Sequence, residues 1–593
     1  MSTVDLRSAP RSVPVTTVPE AVFAFDHDHG RPARELADLL GGKGAGLAEM
    51  TGALGLDVPP GFTIALPVFR MWRHGGWPSS LDSVVASHVA ALGERMGRTL
   101  GDASDPLLLS VRSGAAVSMP GMLDTVLNLG LNDETVRGLA AATGDEAFAW
   151  DSYRRFLRMY ATIVMGIDPG ALAESRPVAS VIGAGDGRAR SAQRDRASDP
   201  RNAPGEPASP GHASASSVAD LQARILAASG RSVPSDPAEQ LREAIEAVFS
   251  SWDSDRARAY RQRDGIDEDA GTAVNVQAMV FGNRGTRSGT GVVFTRDPAT
   301  GEPGPYGDYL VGGQGEDVVD GSAHPMPIRE LADEDPEVYA DLMAVLHRLE
   351  AHYRQVCDVE FTVEEGRLWL LQTRPGKLSA VAAVRTAVDF VDDPDVDLTP
   401  AEAVSRVPEP IRLRARGDLG DAGRASRLSA VPASGGGTDD ALVDDAPIDD
   451  ALVATGLGAS PGTVTGAVVF SSEAALEATD DVVLVRPETS PKDVVGMSAS
   501  VGIVTTRGGL ASHAAVVARG WGIPAVVGVA ALTIADDRAT GPGGVVISAG
   551  DVITIDGSTG QIWLGAREAA AMSDTDREAL ERLERLESWA AGA

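Results

Sequence analysis

One histidine stands where a strand, a tight turn and a helix are expected to follow one another. A β-rich run ends at Thr506, Gly508 and Gly509 allow a tight turn, and Ser512 can cap a helix that His513 begins. The first turn of a helix has unpaired backbone N–H groups and the positive end of the helix dipole, which both favour an anion. A neutral imidazole is a nucleophile near pH 7. The pattern therefore fits a phosphoryl group carried on His513, although an ordinary packed or surface histidine fits it too.

Positive side chains and glycines in the N-terminal half suggest a site for polyphosphate. Lys43 and Arg112 stand on turns of small residues, and Lys43 is one of three lysines among 52 basic residues. Arginine occupies almost every other basic position. A lysine that remains therefore suggests a position where arginine cannot replace lysine. Backbone N–H groups near Gly289 and Gly291 could cradle phosphates, but no Walker loop is present because no Gly-Lys-Ser/Thr follows. Taken alone, each of these features is more often an ordinary turn than a binding site.

Two pairs of polar residues alternate on neighbouring predicted strands. Asp358 and Glu360 are two apart and so face the same side of one strand, as Gln372 and Arg374 do on the next. Two carboxylates on one face can hold Mg²⁺ against a nucleotide. A solvated strand face is the alternative explanation.

Hydrophobic periodicity and turn residues indicate the elements that position these groups. We expect mixed α/β structure over 35–165, with a helix over 152–165, and further helices over 218–262. Strands are expected at 273–280, 291–295, 358–363 and 367–372, with a hairpin turn at 364–366. Low apolar content predicts a disordered insertion at 176–217. A linker over 376–450, helical and then low in complexity from 413, precedes a compact β/α domain at 451–566. A C-terminal helix within 567–593 is expected to begin with a capping box of Thr575 and Glu578.

Composition excludes several classes of protein. The 593 residues predict several domains, and the net charge of −32 argues against nucleic acid or an anionic membrane surface as the main partner. No apolar run reaches the roughly 18 residues of a membrane span, and we expect no secretion signal. A single cysteine, Cys357, excludes an internal disulfide framework and a multi-cysteine zinc site. We expect a soluble cytoplasmic protein.

Long stretches of the sequence are similar to the pyruvate, phosphate dikinases. The matching segments are residues 42–50, 111–122, 127–133, 275–283, 314–319, 371–374 and 505–520. The resemblance implies an α/β multi-domain protein, with an ATP-grasp nucleotide-binding domain over 1–375 and a swivelling phosphohistidine domain over 451–566. Because the second half of residues 376–450 is poor in apolar residues, we expect this segment to be a flexible tether that allows the phosphohistidine domain to swivel. An ordinary spacer between two independent modules is the alternative.

In that family the histidine attacks the β-phosphate of ATP, takes the β,γ-pyrophosphoryl group and releases AMP. Orthophosphate then removes the terminal phosphoryl group as pyrophosphate, and the remaining phosphoryl group passes to pyruvate. The resemblance makes His513 the catalytic carrier, with Asp358 and Glu360 as Mg²⁺ ligands. The residues that it implies for binding ATP are Lys43, Arg112, Asp358, Glu360, Gln372 and Arg374.

Two features depart from the family pattern. Family members have, after the phosphohistidine domain, a large barrel that binds pyruvate and phosphoenolpyruvate, whereas this sequence ends at residue 593. We therefore expect the pyruvate step to need a separate polypeptide. A threonine two positions before the histidine, which is a regulatory phosphorylation site in some members, is replaced by Ala511, although Ser512 remains.

Two other functions stay open. A phosphoenolpyruvate synthase-like half-enzyme would use water in place of orthophosphate, and residues 522–528 favour it. A non-catalytic paralogue would bind nucleotide and regulate a complete enzyme. The presence of every implied site residue, including the rare Lys43, argues against the paralogue.

Overall fold

The computed structural model describes residues 17–117, 119, 123–173, 214–319, 325–429, 452–490, 493–510, 512–535, 537–567 and 574–592. Most of the predicted insertion, residues 176–213, and the low-complexity stretch 430–450 lie outside these residues. Among the helices that the structure describes, none is both long enough and apolar enough to cross a membrane.

Helices and strands are numbered separately in chain order. The helices are α1 (Ala37–Ala48), α2 (Leu66–Gly75), α3 (Leu81–Met96), α4 (Thr135–Thr143), α5 (Glu146–Ile163), α6 (Ala215–Ser229), α7 (Pro237–Ser251), α8 (Asp255–Asp264), α9 (Gly315–Val319), α10 (Leu331–Glu334), α11 (Pro336–Tyr353), α12 (Ala380–Asp392), α13 (Pro400–Arg406), α14 (Glu409–Ser429), α15 (Ser472–Glu477), α16 (Val494–Ser498), α17 (His513–Trp521) and α18 (Asp574–Ala591). The strands are β1 (Val22–Ala24), β2 (Gly61–Ile64), β3 (Thr99–Leu100), β4 (Pro106–Leu107), β5 (Leu109–Ala115), β6 (Thr125–Leu129), β7 (Thr272–Ala278), β8 (Gly289–Arg296), β9 (Pro303–Val311), β10 (Met326–Pro327), β11 (Cys357–Glu364), β12 (Arg367–Pro375), β13 (Leu452–Thr455), β14 (Leu457–Ser460), β15 (Thr463–Val469), β16 (Val482–Arg486), β17 (Gly502–Thr505), β18 (Ala525–Val527), β19 (Thr533–Ala535), β20 (Arg538–Thr540), β21 (Val546–Ser548), β22 (Val552–Asp556) and β23 (Gln561–Leu564).

The chain divides into two compact units. The first comprises Met1–Ala24, Asp38–Gly44 and Pro60–Met279, and the second comprises Phe25–Ala37, Ala45–Pro59 and Val280–Ala593. Sheet A, in the first unit, is antiparallel with strand order β1-β2-β7-β5-β6. Helix α5 packs against β6, and its Tyr153, Phe156 and Tyr160 are buried, as the helical periodicity predicts.

Sheet B, in the second unit, is antiparallel with strand order β10-β9-β8-β11-β12. The predicted hairpin between β11 and β12 is confirmed: Glu365 and Gly366 both have positive φ, +50° and +83°, as tight hairpin turns require. One face of sheet B packs its Val359 and Phe361 against Leu342 and other apolar residues of α11. The opposite face carries Asp308, Asp358 and Glu360, and we call it the acidic face.

The second unit also contains the histidine lobe, residues 452–567, which is built on sheet C. Its strand order is β13-β23-β22-β15-β16-β17-β18-β14, and the neighbouring strands from β15 to β18 run parallel. Helices α15, α16 and α17 connect these parallel strands, as parallel pairing requires. Such a sheet places the residues that follow its strands at a common edge, where His513 and Thr489 lie.

Helices α12, α13, α14 and α18 form a helical cluster with a shared apolar core. Ala415 and Leu419 of α14 are buried there beside Leu583 and Leu586 of α18. The backbone is thus helical at 413–429, where the sequence predicts the low-complexity part of the linker to begin. Helix α18 supplies the apolar contacts of Ala415 and Leu419 that this segment lacks alone.

The predicted capping box at the start of α18 is also wrong. Thr575 lies inside the helix, and its hydroxyl donates to Glu302 (3.0 Å). Glu578 accepts from Arg385 of α12 (3.0 Å). Both side chains therefore hold α18 to its neighbours and do not cap it.

Candidate active site

His513 is the first residue of α17, immediately after the turn that follows β17. Gly508 in this turn has φ +91°, a conformation that favours glycine. Ser512 occupies the N-cap position with an extended backbone, as predicted. Its hydroxyl does not cap the helix, however, and finds no hydrogen-bond partner among the described residues. The free N–H groups at the start of α17 thus remain available to an anion.

Thr489, which the sequence did not single out, contacts the imidazole. Its Oγ1 lies 3.0 Å from His513 Nδ1. The loop that carries Thr489 is fixed by Asp493, whose carboxylate accepts from the backbone N–H and the hydroxyl of Ser490 (both 2.9 Å). This contact engages one ring nitrogen and leaves Nε2 for chemistry.

The surroundings of His513 favour a neutral imidazole. Burial lowers the pKa of His513 below its ordinary value of 6.5, and the carboxylate of Asp493 opposes this shift without reversing it. The unprotonated ring, which is the nucleophilic form, is therefore the main species near pH 7.

The predicted carboxylates lie side by side on the acidic face of sheet B. Asp358 pairs in register with Arg374, and Glu360 pairs with Gln372. Directly opposed residues of an antiparallel pair share one face. Arg374 Nε donates to Asp358 Oδ2 (2.6 Å), and its guanidinium lies 3.7 Å from Glu360 Oε1. The structure thus brings these four residues together, and burial raises the pKa of Asp358 while Arg374 opposes the shift.

The carboxylate oxygens of this cluster are suited to a divalent cation whose remaining coordination positions are filled by a bound ligand. Asp358 is 7% exposed, and its Oδ1 has no hydrogen-bond partner among the described residues. No group of three or more His, Cys, Asp or Glu in the described ranges could hold a metal by itself. Two carboxylates with phosphate and water as further ligands are what Mg²⁺ commonly uses at nucleotide sites.

Gly289 and Gly291 do not form the predicted phosphate cradle. Both lie inside β8, which pairs with β9 on one side and β11 on the other. A Cβ added at Gly291 would meet the ring of Phe361 at 2.6 Å, and one at Gly289 would meet the ring of Tyr309 at 2.3 Å. These two rings stack in the core, so the glycines make room for aromatic packing.

Lys43 and Arg112 lie in the first unit, where close backbone approach brings their segments together. Helix α1 breaks at Gly41, with φ +71°, and a Cβ there would lie 1.7 Å from the carbonyl oxygen of Gly114. Lys43 Cβ lies 3.7 Å from the position that a Gly114 Cβ would take. Because Arg112 and Gly114 are two apart on β5, they share a face. The two predicted phosphate-binding residues therefore stand in one neighbourhood.

Asn275 of β7 lies beside this neighbourhood and was also not singled out as a site residue. It pairs in register with Arg112. Its side chain is fully buried, and its Nδ2 has no hydrogen-bond partner among the described residues. Asn275 belongs to the motif at 275–283, which is the one sequence feature that points to it. Residue spacing alone does not assign a role to Asn275.

The histidine lobe packs on the acidic face of sheet B. A Cβ added at Gly509 would lie 2.2 Å from Asp308 Oδ2, so the turn before His513 lies directly against the Asp308 carboxylate. Tyr306 donates its hydroxyl to the carbonyl of Gly458 (3.0 Å). Phe294 pairs with both Tyr306 and Asp358, and these residues therefore form one row with the carboxylate cluster.

Comparison with known proteins identifies the family. The family model for the AMP/ATP-binding domain of pyruvate phosphate dikinase matches residues 68–336 and 329–392, and the mobile domain of PEP-utilising enzymes matches 478–560. The chloroplastic pyruvate, phosphate dikinase of Flaveria pringlei is 42% identical over 593 residues, which cover 98% of this chain and 56% of that protein. Pyruvate, phosphate dikinase 1 of Oryza sativa subsp. japonica is 43% identical over 568 residues (93% and 54%), and pyruvate, phosphate dikinase 2 of Zea mays is 42% identical over 555 residues (92% and 58%). The chain belongs to the pyruvate, phosphate dikinase family.

Membership of the pyruvate, phosphate dikinase family confirms the predicted fold class, an ATP-grasp domain with a phosphohistidine domain. The chain spans 56% of the length of the Flaveria pringlei relative. The AMP/ATP-binding match includes Arg112 and Asp358 but begins after Lys43, so the role of Lys43 rests on its motif and its place beside Gly114. The mobile-domain match includes Thr489 and His513. The domain boundaries at 375 and 451 stay predictions.

Proposed function

We propose that this chain catalyses phosphorylation of His513 by ATP with release of AMP, the nucleotide half of a dikinase reaction. One observation carries this proposal: the turn that bears His513 packs on the same face of sheet B as Asp358 and Glu360. A nucleophile and a cation site on one surface suit phosphoryl transfer, which depends mainly on positioning and charge neutralisation.

The nucleophile in this proposal is Nε2 of His513. With Thr489 Oγ1 accepting from the Nδ1–H group, the lone pair resides on Nε2. A bond forms between Nε2 and the β-phosphorus, and the bond from that phosphorus to the oxygen shared with the α-phosphate breaks. AMP leaves with this oxygen, and the imidazole carries the β,γ-pyrophosphoryl group.

The other residues neutralise and orient the polyphosphate. In this proposal Lys43 and Arg112 bind phosphate oxygens, as their sequence motifs suggest, and charge-assisted contacts of this kind are the strong ones. Asp358 and Glu360 would hold Mg²⁺, which offsets negative charge on the phosphates. Gln372 and Arg374, which pair in register with these carboxylates, would complete the nucleotide site.

The second acceptor in this proposal is orthophosphate. It attacks the terminal phosphorus, pyrophosphate leaves, and one phosphoryl group stays on Nε2. Pyruvate is the final acceptor in this proposal. Support for orthophosphate comes from the relatives, which are named as pyruvate, phosphate dikinases.

The test is product analysis with the purified chain, ATP and Mg²⁺, with and without orthophosphate. We expect AMP in both cases and pyrophosphate only when orthophosphate is present. His513→Ala should abolish both products, whereas substitution of the exposed His347 (63% exposed) should not. AMP with orthophosphate as the sole other product would favour the water-using alternative. Absence of AMP from a folded, nucleotide-binding chain would favour the regulatory paralogue.

A further inference from the structure

Arg519 is a buried cation on the same helix as His513, and the proposed reaction does not use it. Its side chain is 2% exposed. The guanidinium donates to the carbonyl of Ala459 (2.9 Å) and to the carbonyl of Leu510 (2.8 Å). Leu510 lies in the turn that precedes His513, so these bonds fix Arg519 within the histidine lobe.

The same guanidinium stacks on aromatic rings of sheet B. Its Cζ lies 5.5 Å from the centroid of the Phe294 ring and 5.9 Å from that of Tyr306. Both distances are within the range of cation–π attraction, which is strongest where water is excluded. Phe294 and Tyr306 are paired neighbours on β8 and β9, and they form a two-ring receptor for the cation.

Negative charge on the acidic face complements this contact. Burial lowers the pKa of Arg519, and Tyr306, Asp297, Asp358 and Asp308 oppose the shift. The cation therefore lies in the field of Asp308 and Asp358, which belong to sheet B, and of Asp297, which directly follows β8. The contact joins the two parts of the proposed reaction, the carrier and the nucleotide site.

We propose that Arg519 is the docking residue of the histidine lobe: its stacking on Phe294 and Tyr306 seats the lobe on sheet B for the ATP-dependent step. The inference rests on the proposed function, since it assigns Arg519 to charging of His513 by ATP and not to the nucleophilicity of the imidazole. Arg519 is thus a positioning residue. In the alternative, Arg519 acts only through its hydrogen bonds to Ala459 and Leu510, and it stabilises the turn before His513 without any role in docking.

Substitutions on the receptor side separate these two roles, because they leave both hydrogen bonds of Arg519 intact. Tyr306→Leu removes a ring from the receptor, and Tyr306→Phe is the matched control that keeps the ring. If docking is the role, Tyr306→Leu slows AMP formation at least about tenfold, and Tyr306→Phe retains most of the rate. Arg519→Met should resemble Tyr306→Leu, and Phe294→Leu is a second receptor variant in case Arg519→Met does not fold.

A second measurement bypasses sheet B. Inorganic phosphoramidate transfers its phosphoryl group to a histidine nitrogen with loss of ammonia, and the label on His513 is read by ³¹P NMR. Docking predicts that Tyr306→Leu is labelled by phosphoramidate at the wild-type rate or faster. Wild-type AMP formation in Tyr306→Leu would overturn the proposal. Equal loss of both labelling reactions in that variant would also overturn it, since the defect would then lie at the imidazole.

Small-angle X-ray scattering of the full chain tests docking by Arg519 without measuring AMP formation. It therefore separates the test of docking from the test of the proposed function. Should the wild-type protein make no AMP, the proposed function fails, and docking is judged from the radius of gyration alone. A larger radius for Tyr306→Leu than for Tyr306→Phe supports docking by Arg519. Identical scattering curves for the two variants overturn it.

Discussion

Replacing Thr489 by valine tests whether its hydroxyl prepares His513 for phosphoryl transfer. The substitution conserves shape and removes the oxygen that lies 3.0 Å from Nδ1. A neutral hydrogen bond contributes about 0.5–1.5 kcal/mol. If that contribution is fully present in the transition state, self-phosphorylation slows by about 2- to 12-fold, since about 1.4 kcal/mol corresponds to a factor of ten.

The assay is single-turnover formation of phosphohistidine from ATP, stopped in base and followed over time. Thr489→Ser, which keeps a hydroxyl, is the matched control and should stay close to the wild-type rate. Thermal melting of both variants checks the fold. A valine variant as fast as the wild type, or a serine variant as slow as the valine variant, would refute a role for the hydroxyl.

Three further predictions concern other parts of the chain. Lys43→Ala and Arg112→Ala should each keep the fold but slow AMP formation by about 10- to 160-fold, since a charge-assisted hydrogen bond contributes about 1.5–3 kcal/mol; unchanged rates in both would remove these residues from the site. Leu583→Ala, at a fully buried position of α18, should lower the free energy of unfolding in urea by about 2–5 kcal/mol, whereas Leu413→Ala, at a position 61% exposed, should change it by no more than about 0.5 kcal/mol. The rate of self-phosphorylation should be constant near pH 7 and fall only as pH drops through the lowered pKa of His513, below 6.5; a decline that begins above pH 6.5 would contradict this.

Local signals in the sequence were sufficient where the structure depends on local contacts. The helical spacing of Phe156 and Tyr160 predicts their buried face, and the turn at Glu365 and Gly366 predicts a hairpin. The alternation of Asp358 with Glu360 likewise predicts that they share a face.

Features that depend on distant partners were missed or misjudged. Glycine marks both loops and crowded strands, and only the rings of Tyr309 and Phe361 show that Gly289 and Gly291 belong to a crowded strand. Thr489 meets His513 because parallel strands end at one edge of sheet C, which no residue spacing reveals. Helix α14 folds against α18. The two helices are far apart in the sequence, so no local pattern predicts their contact.

The central claim is that His513 receives a phosphoryl group from ATP, and ATP labelled with ³²P in the β-phosphate tests it most directly. The account predicts a protein-bound label that is stable in base, labile in acid and absent from His513→Ala. A label that persists undiminished in His513→Ala, or no protein-bound label in the folded wild-type chain, would contradict the account.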